Sequence, residues 1–191
     1  MQQIVIGLNG LAQSGKSTLA NHLRQRHGFE TVAFAEPLKK MLLELGVPAE
    51  SLYGHEKEKP LEHLCGKSGR FLMQTLGTEW GRAHVGKEVW SRAWRKRVSS
   101  LSLVVADDVR FDTEVAAVQQ MGGLVIQIVR PNVVSIAGAK HASEVSVNGD
   151  HVDMTIVNDG PVSKMTNRMD QILERAFGLV AEQAELFEAA E

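Results

Sequence analysis

One cysteine, Cys65, in 191 residues excludes an internal disulfide, and without a second cysteine beside it the side chain reads as an ordinary thiol. An excess of positive charge is missing as well. Lys and Arg number 21 against 23 Asp and Glu, a formal net charge of -2, so the strong basic balance of a dedicated nucleic-acid binder is absent and no direct nucleic-acid partner is expected. No apolar stretch approaches the ~18 residues that a membrane-spanning helix needs, so no membrane partner is expected either. No charged-plus-apolar leader precedes the first apolar run; with the cysteine count, this fits a reducing cytoplasm. Internal repeats and low-complexity segments are also lacking. The 43% of hydrophobic residues is enough, at this length, for one well-buried domain spanning 1–191.

What is present is concentrated near the start. The apolar run Ile4 to Leu8 leads into Gly10-Leu-Ala12-Gln13-Ser14-Gly15-Lys16-Ser17-Thr18, the strand, glycine-rich loop and helix start of a P-loop. Successive backbone N–H groups must turn inward to make an anion-holding nest, and a side chain at Gly10 or Gly15 would obstruct the approach of a phosphate. The spacing therefore predicts a nucleoside triphosphate site built from Gly10, Ala12, Gln13, Ser14, Gly15, Lys16, Ser17 and Thr18. Lys16 would reach the β and γ phosphates, Ser17 would ligate Mg²⁺ through its hydroxyl, and the N-terminus of the following helix would favour the same anion.

Further short apolar or β-branched runs, Thr31 to Phe34, Leu103 to Ala106, Leu124 to Val129 and Met154 to Val157, alternate with helical patterns. That rhythm predicts an α/β domain with about five parallel strands and helices on both faces. Pro37 suits a first helical turn before Leu38, Met41, Leu42 and Leu45, and Gly46 suits its end. Asp112 is placed to cap a helix that Gly122-Gly123 ends, and Met165, Met169, Ile172, Leu173 and Ala176 have the spacing of a last helix. No strand is evident between Gly46 and Ser100, so residues 46–100, with Trp80, Trp90 and Trp94, read as a helical insertion over the crevice at the carboxyl ends of the strands. The acidic tail after Gly178 reads as a solvated end.

A second constellation follows the third long strand. Asp107, Asp108 and Arg110 would stand at the crevice, where an acidic group can hold Mg²⁺ or a sugar hydroxyl and a guanidinium can fork onto a phosphate. Lys39, Lys67, Arg70, Arg82, Lys87 and Arg92 supply cations from the insertion, and Trp90 is open to either a base-stacking or a core role. Arg130 begins a stretch, 130–150, that reads as a lid-like loop, where Arg130 would stabilise charge on the transferred group; His141 is open to a general-base role or a structural or lid role, and the latter is favoured because transfer to a phosphate oxygen needs no base. Asn158-Asp159-Gly160 is a turn by composition, at an edge of the crevice where its backbone could touch adenine.

These blocks carry a family resemblance. Gly10 to Thr18, Phe34-Ala35-Glu36-Pro37-Leu38-Lys39, Leu76-Gly77-Thr78-Glu79-Trp80-Gly81-Arg82, Trp90, Asp108-Val109-Arg110-Phe111 with Glu114, His141-Ala142-Ser143-Glu144 and Ile156 to Gly160 resemble, in this order, a deoxynucleoside monophosphate kinase of the tailed-phage type. The resemblance implies a three-layer P-loop kinase fold, ATP and Mg²⁺ at the P-loop, and a dNMP under the insertion, with ADP and a dNDP as products. It implies that Lys39 and Arg70 hold the acceptor phosphate, with Lys67 a near competitor of Arg70, that Trp90 packs on the base, and that Asp108, Arg110 and Glu114 fix nucleotide and catalytic geometry. Catalysis would rest on Lys16, Asp108, Arg110 and Arg130, without a covalent intermediate. It also implies a host-cell cytoplasm if the gene is a phage's, and it admits a homodimer.

Dephospho-CoA kinase and phosphomevalonate kinase share the P-loop, the Asp-x-Arg strand end and the late Asn-x-Gly turn, and differ in their acceptor. A P-loop ATPase or nucleotide-dependent module acting on DNA or protein is the alternative of another class; a kinase turns over ATP rapidly only with its acceptor.

Overall fold

A computed structural model of the chain describes residues 3–131 and 151–179. In chain order the strands are β1 (Ile4–Asn9), β2 (Glu30–Thr31), β3 (Pro60–Leu61), β4 (Lys67–Ser68), β5 (Leu103–Ala106), β6 (Leu124–Val129) and β7 (Met154–Val157). The α-helices are α1 (Lys16–His27), α2 (Glu36–Glu44), α3 (Gly69–Gln74), α4 (Val89–Val98), α5 (Asp112–Gln119) and α6 (Val162–Phe177). Contacts divide the chain into two compact units, one of residues up to Ala33 and from Arg97 onward, the other Phe34–Lys96.

The first unit is built on a parallel sheet of order β2-β5-β1-β6-β7. β1 is central and all six of its residues are buried, as expected for a continuous apolar run covered on both faces. Its core joins Ile6, Leu8, Val105, Ile126, Ile128 and Ile156 of the sheet to Leu19 and Leu23 of α1 and Met165, Met169, Ile172 and Leu173 of α6. The last helix therefore buries the stripe its spacing predicts, except that Ala176 is exposed. Each fully buried aliphatic side chain of this kind contributes roughly 1.5–3 kcal/mol relative to an exposed one.

Three local expectations are corrected. The second strand does not run from Thr31 to Phe34. It stops at Thr31, Val32 N–H still donates to Val105 O at 2.9 Å, and Phe34 leaves the sheet to stack on Trp94 in the second unit, with ring centroids 4.3 Å apart. Asp112 is the first helical residue of α5 and not its cap; its carboxylate faces His151 Nδ1 at 3.3 Å, while Glu114 reaches back to the helix entrance. The stretch 46–100 does contain strand, a two-residue antiparallel pair of β3 with β4. Cys65 and Gly66, both at positive φ, turn the chain between them, and Gly66 N–H donates to Leu61 O at 3.0 Å.

The second unit is otherwise helical. Leu38 and Leu42 of α2, Val47, Leu52, Leu61 and Trp90 form its core. Pro37 lies in the first turn of α2 as predicted, and Gly46 after it has φ +90°. α3 runs into a π-helical segment, Thr75–Val85, whose wider turn carries Gly77 and Gly81 on the buried side. At Gly81 the backbone lies so close to Trp90 that a Cβ would come within 2.6 Å of the indole, and the Trp90 Nε1–H donates to Gly77 O at 2.7 Å. The expected lid-like loop, apart from Arg130 and Pro131, and the acidic tail beyond Leu179 lie outside the described residues. So do His141, Ala142, Ser143 and Glu144.

Candidate functional site

The loop between β1 and α1 is shaped by backbone that only particular residues tolerate. Gly10 has φ +138°, and a Cβ there would stand 2.4 Å from Ile128 O; Gly15, which caps α1, has φ +115°. Gln13 adopts φ +64° without being glycine, a local strain of the kind found where a loop is held for a ligand. Ser14 is buried and its Oγ has no hydrogen-bond partner. Such an orphan costs roughly 1–3 kcal/mol, so a hydroxyl kept at this point in the loop fits an anionic ligand that would accept from it. Ala12, Gln13, Ser17 and Thr18 are exposed, and Lys16 is partly buried.

Lys16 folds back over the loop. Its Nζ donates to Gly10 O and Leu11 O, each at 2.7 Å. Burial, seconded by the Arg110 charge, lowers its pKa from 10.5 to about 8, against the opposing pull of Asp107 and Asp108. The segment after β5 and the phosphate-loop lysine thus share one electrostatic neighbourhood.

That segment is fastened to β1 by two bonds. Val109 N–H donates to Leu8 O at 3.3 Å, and the buried Asn9 side chain donates through Nδ2 to Val109 O at 2.8 Å. Asp108 and Arg110 flank the fastened residue. Glu114, only 3% exposed, then accepts at Oε2 from the N–H of Arg110 at 2.8 Å and of Phe111 at 3.2 Å. Its carboxylate faces backbone, holding the turn that carries Arg110. Asn9 was missed by sequence reasoning, since an Asn ending an apolar strand looks like the start of a loop.

Two more predicted residues close on the loop from the other side. Arg130, at the end of β6, places Nη1 3.4 Å from Gln13 O, and the Asn158 side chain donates to Ser14 O at 2.8 Å. Asn158 also passes close over Gly15, where a Cβ would lie 2.8 Å from its Nδ2. The first unit therefore brings together the P-loop, Asp108, Arg110, Arg130 and Asn158.

Lys39, Arg70 and Trp90 belong to the second unit. Lys39 Nζ sits 4.5 Å from the centroid of the Tyr53 ring, and the Tyr53 hydroxyl lies 3.3 Å from Glu36. Burial and the Glu36 carboxylate raise the Tyr53 pKa. Arg70 pairs with Glu58, while Lys67 rests over the Phe71 ring at 4.8 Å. Trp90 is 5% exposed in the core, and Trp80, with its ring centroid 6.4 Å away, is 43% exposed.

Residues 50–169 match the family described as deoxynucleotide monophosphate kinase. A protein of Acanthamoeba polyphaga mimivirus, named "Putative deoxynucleotide monophosphate kinase", is 30% identical over 190 residues, covering 91% of this chain and 97% of its own. Among solved structures, shikimate kinase from Aquifex aeolicus superposes with a TM-score of 0.53 over 90% of this chain and 96% of its own. At 14% identity, that likeness speaks for the fold alone. Among the described residues no helix is long and apolar enough to cross a membrane. The sheet order, the phosphate loop and the family match lead to one statement: the chain belongs to the deoxynucleotide monophosphate kinases, phosphotransferases that act on a small nucleotide.

Proposed function

We propose that the chain transfers the γ-phosphoryl group of Mg-ATP to the phosphate of a deoxynucleoside monophosphate, releasing ADP and a dNDP. The observation that carries this reading is the clustering of Lys16 with Asp107, Asp108 and Arg110 beside a loop whose glycines and orphaned Ser14 hydroxyl suit a polyphosphate. The loop N–H groups and Lys16 would hold the donor phosphates; Ser17 and Asp108 would offer oxygen to Mg²⁺, which would supply neutralisation of phosphate charge. Arg110 and Arg130 offset the repulsion between two anions that must meet, and an acceptor phosphate oxygen displaces ADP in line without an enzyme-bound intermediate.

Residues 46–100 serve acceptor binding in this reading. Lys39 and Arg70 would exchange their present partners, the Tyr53 face and Glu58, for the acceptor phosphate. For Trp90, a role against the base runs through the packing of its buried ring, with the half-exposed Trp80 offering the free aromatic face nearby. The near-balanced charge favours a free nucleotide over nucleic acid as the acceptor, and a homodimer is consistent with the family.

The test is ADP formation from Mg-ATP with each dNMP, each NMP and dephospho-CoA supplied singly, with DNA as a separate additive. Stimulation by one or more dNMPs, with the matching dNDP formed, is the expected result. Stimulation by dephospho-CoA alone, by DNA alone, or by nothing would overturn it.

A further inference from the structure

Away from the phosphate loop, helices α1 and α6 are joined through a single carboxylate oxygen. Oδ1 of Asp170 lies 2.6 Å from Nε2 of His22 and 2.8 Å from Nε2 of His27. The two imidazoles meet edge to face, with centroids 5.6 Å apart and planes at 73°, so both present the same ring nitrogen to one point. The His27 side chain is 1% exposed, while His22 and Asp170 keep 16% and 28%.

A helix-to-helix ion pair needs one imidazole. A second, buried one converging on the same oxygen is an unnecessary expense for that purpose, and among the described residues the three ligand atoms, all within 4.8 Å of one another, form the one such group of three or more His, Cys, Asp or Glu side chains. Two imidazole nitrogens and one carboxylate oxygen are a donor set for borderline divalent metals, Zn²⁺ above all, and a poor one for Mg²⁺, which takes oxygen. Bonds of about 2.0–2.2 Å to a tetrahedral ion put the ligand atoms roughly 3.3 Å apart, so the Asp170 oxygen needs to draw back from each imidazole nitrogen, now at 2.6 and 2.8 Å, by only about half an ångström. The partial exposure of His22 and Asp170 leaves a route in and a place for water as a fourth ligand. All three residues lie outside the segment matched to the kinase family, so family membership does not imply them.

We propose that His22, His27 and Asp170 form a binding site for a divalent transition-metal ion of the Zn²⁺ class, which fastens the phosphate-loop helix α1 to α6. Since Lys16 is the first residue of α1, the ion anchors the far end of the helix whose N-terminus faces the phosphates.

The test uses the full chain, freed of metal with EDTA and without nucleotide. Titration with Zn²⁺ should show one ion per chain at micromolar or tighter affinity, Co²⁺ should give the visible bands of a four-coordinate site, and Zn²⁺ should raise the melting temperature by on the order of 5 °C. His22→Gln and Asp170→Asn, at the two partly exposed ligands, should each weaken binding at least about tenfold and remove the thermal shift. A His63→Gln/Cys65→Ser control should change neither, and millimolar Mg²⁺ should not displace the ion. Absence of stoichiometric binding would overturn the proposal, as would binding unchanged in His22→Gln and Asp170→Asn.

Discussion

The side-chain amide of Asn158 donates to the carbonyl of Ser14 at 2.8 Å, tying the turn after β7 to the middle of the phosphate loop. The same amide sits against Gly15, so the loop is shaped from outside as well as by its own glycines. Replacing Asn158 with Ala removes the tie and leaves the Ser14 carbonyl without this donor. One hydrogen bond contributes about 1 kcal/mol, so ATP affinity should fall by roughly fivefold to tenfold with little change in melting temperature. Isothermal titration with ATP checks this; unchanged affinity would return Asn158 to the role of an ordinary turn residue.

Lys16 gives a pH dependence with a definite sign. With its pKa lowered to about 8 in the free protein, the side chain loses its proton above that pH, while polyphosphate favours the charged form. ATP binding should therefore take up a proton between about pH 8 and 9 and be about tenfold weaker at pH 9 than at pH 7. Calorimetry in two buffers of different ionisation enthalpy reads the proton directly, and Lys16→Met should abolish both the uptake and nearly all turnover. For the free protein the sign is opposite. Because an unfolded lysine keeps its proton to about 10.5, this group's contribution to stability rises as pH climbs from about 8 towards that value.

Glu114 holds the backbone that carries Arg110. Glu114→Ala leaves the N–H groups of Arg110 and Phe111 without their acceptor in a buried position, which should cost about 2–3 kcal/mol in denaturant unfolding. In the fraction that folds, kcat/KM should drop by at least tenfold. Glu114→Gln retains an acceptor oxygen and should recover most of both losses. If Glu114→Gln is as damaged as Glu114→Ala, the carboxylate's charge, and not an acceptor oxygen alone, holds the turn that carries Arg110.

Two glycines separate loop shape from core packing. Gly10→Ala forces a Cβ against Ile128 O at positive φ and should cost about 2 kcal/mol while abolishing ATP binding. Gly81→Ala drives a Cβ into the Trp90 indole and should cost about 1–3 kcal/mol, with ATP binding retained in the folded protein. Thermal unfolding with and without ATP distinguishes them.

The strands that are buried on both faces were legible because burial leaves an unbroken apolar run, as in Ile4 to Leu8 and Val104 to Ala106. The phosphate loop was legible because its chemistry demands particular residues at fixed spacing. What escaped is set by contacts distant in sequence. Phe34 has a strand-former's side chain, yet Trp94 claims it, and the bonds of Asn9 to Val109 and of Asn158 to Ser14 leave no local periodic trace. The His22, His27 and Asp170 cluster was invisible for the same reason, since five residues apart on one helix is not a ligand spacing and the third member arrives from α6.

The central place of β1 also has a consequence during synthesis. Its two neighbours come late: Ile4 aligns with Leu103 and Ile6 with Leu124. A nascent chain that already contains every residue of the P-loop still has nothing to seat it against until β5 and β6 have emerged from the ribosome. A growing chain would thus have to extend well past Val129 before it could hold ATP, and truncated products that stop short of β6 should circulate as non-binders rather than as nucleotide traps.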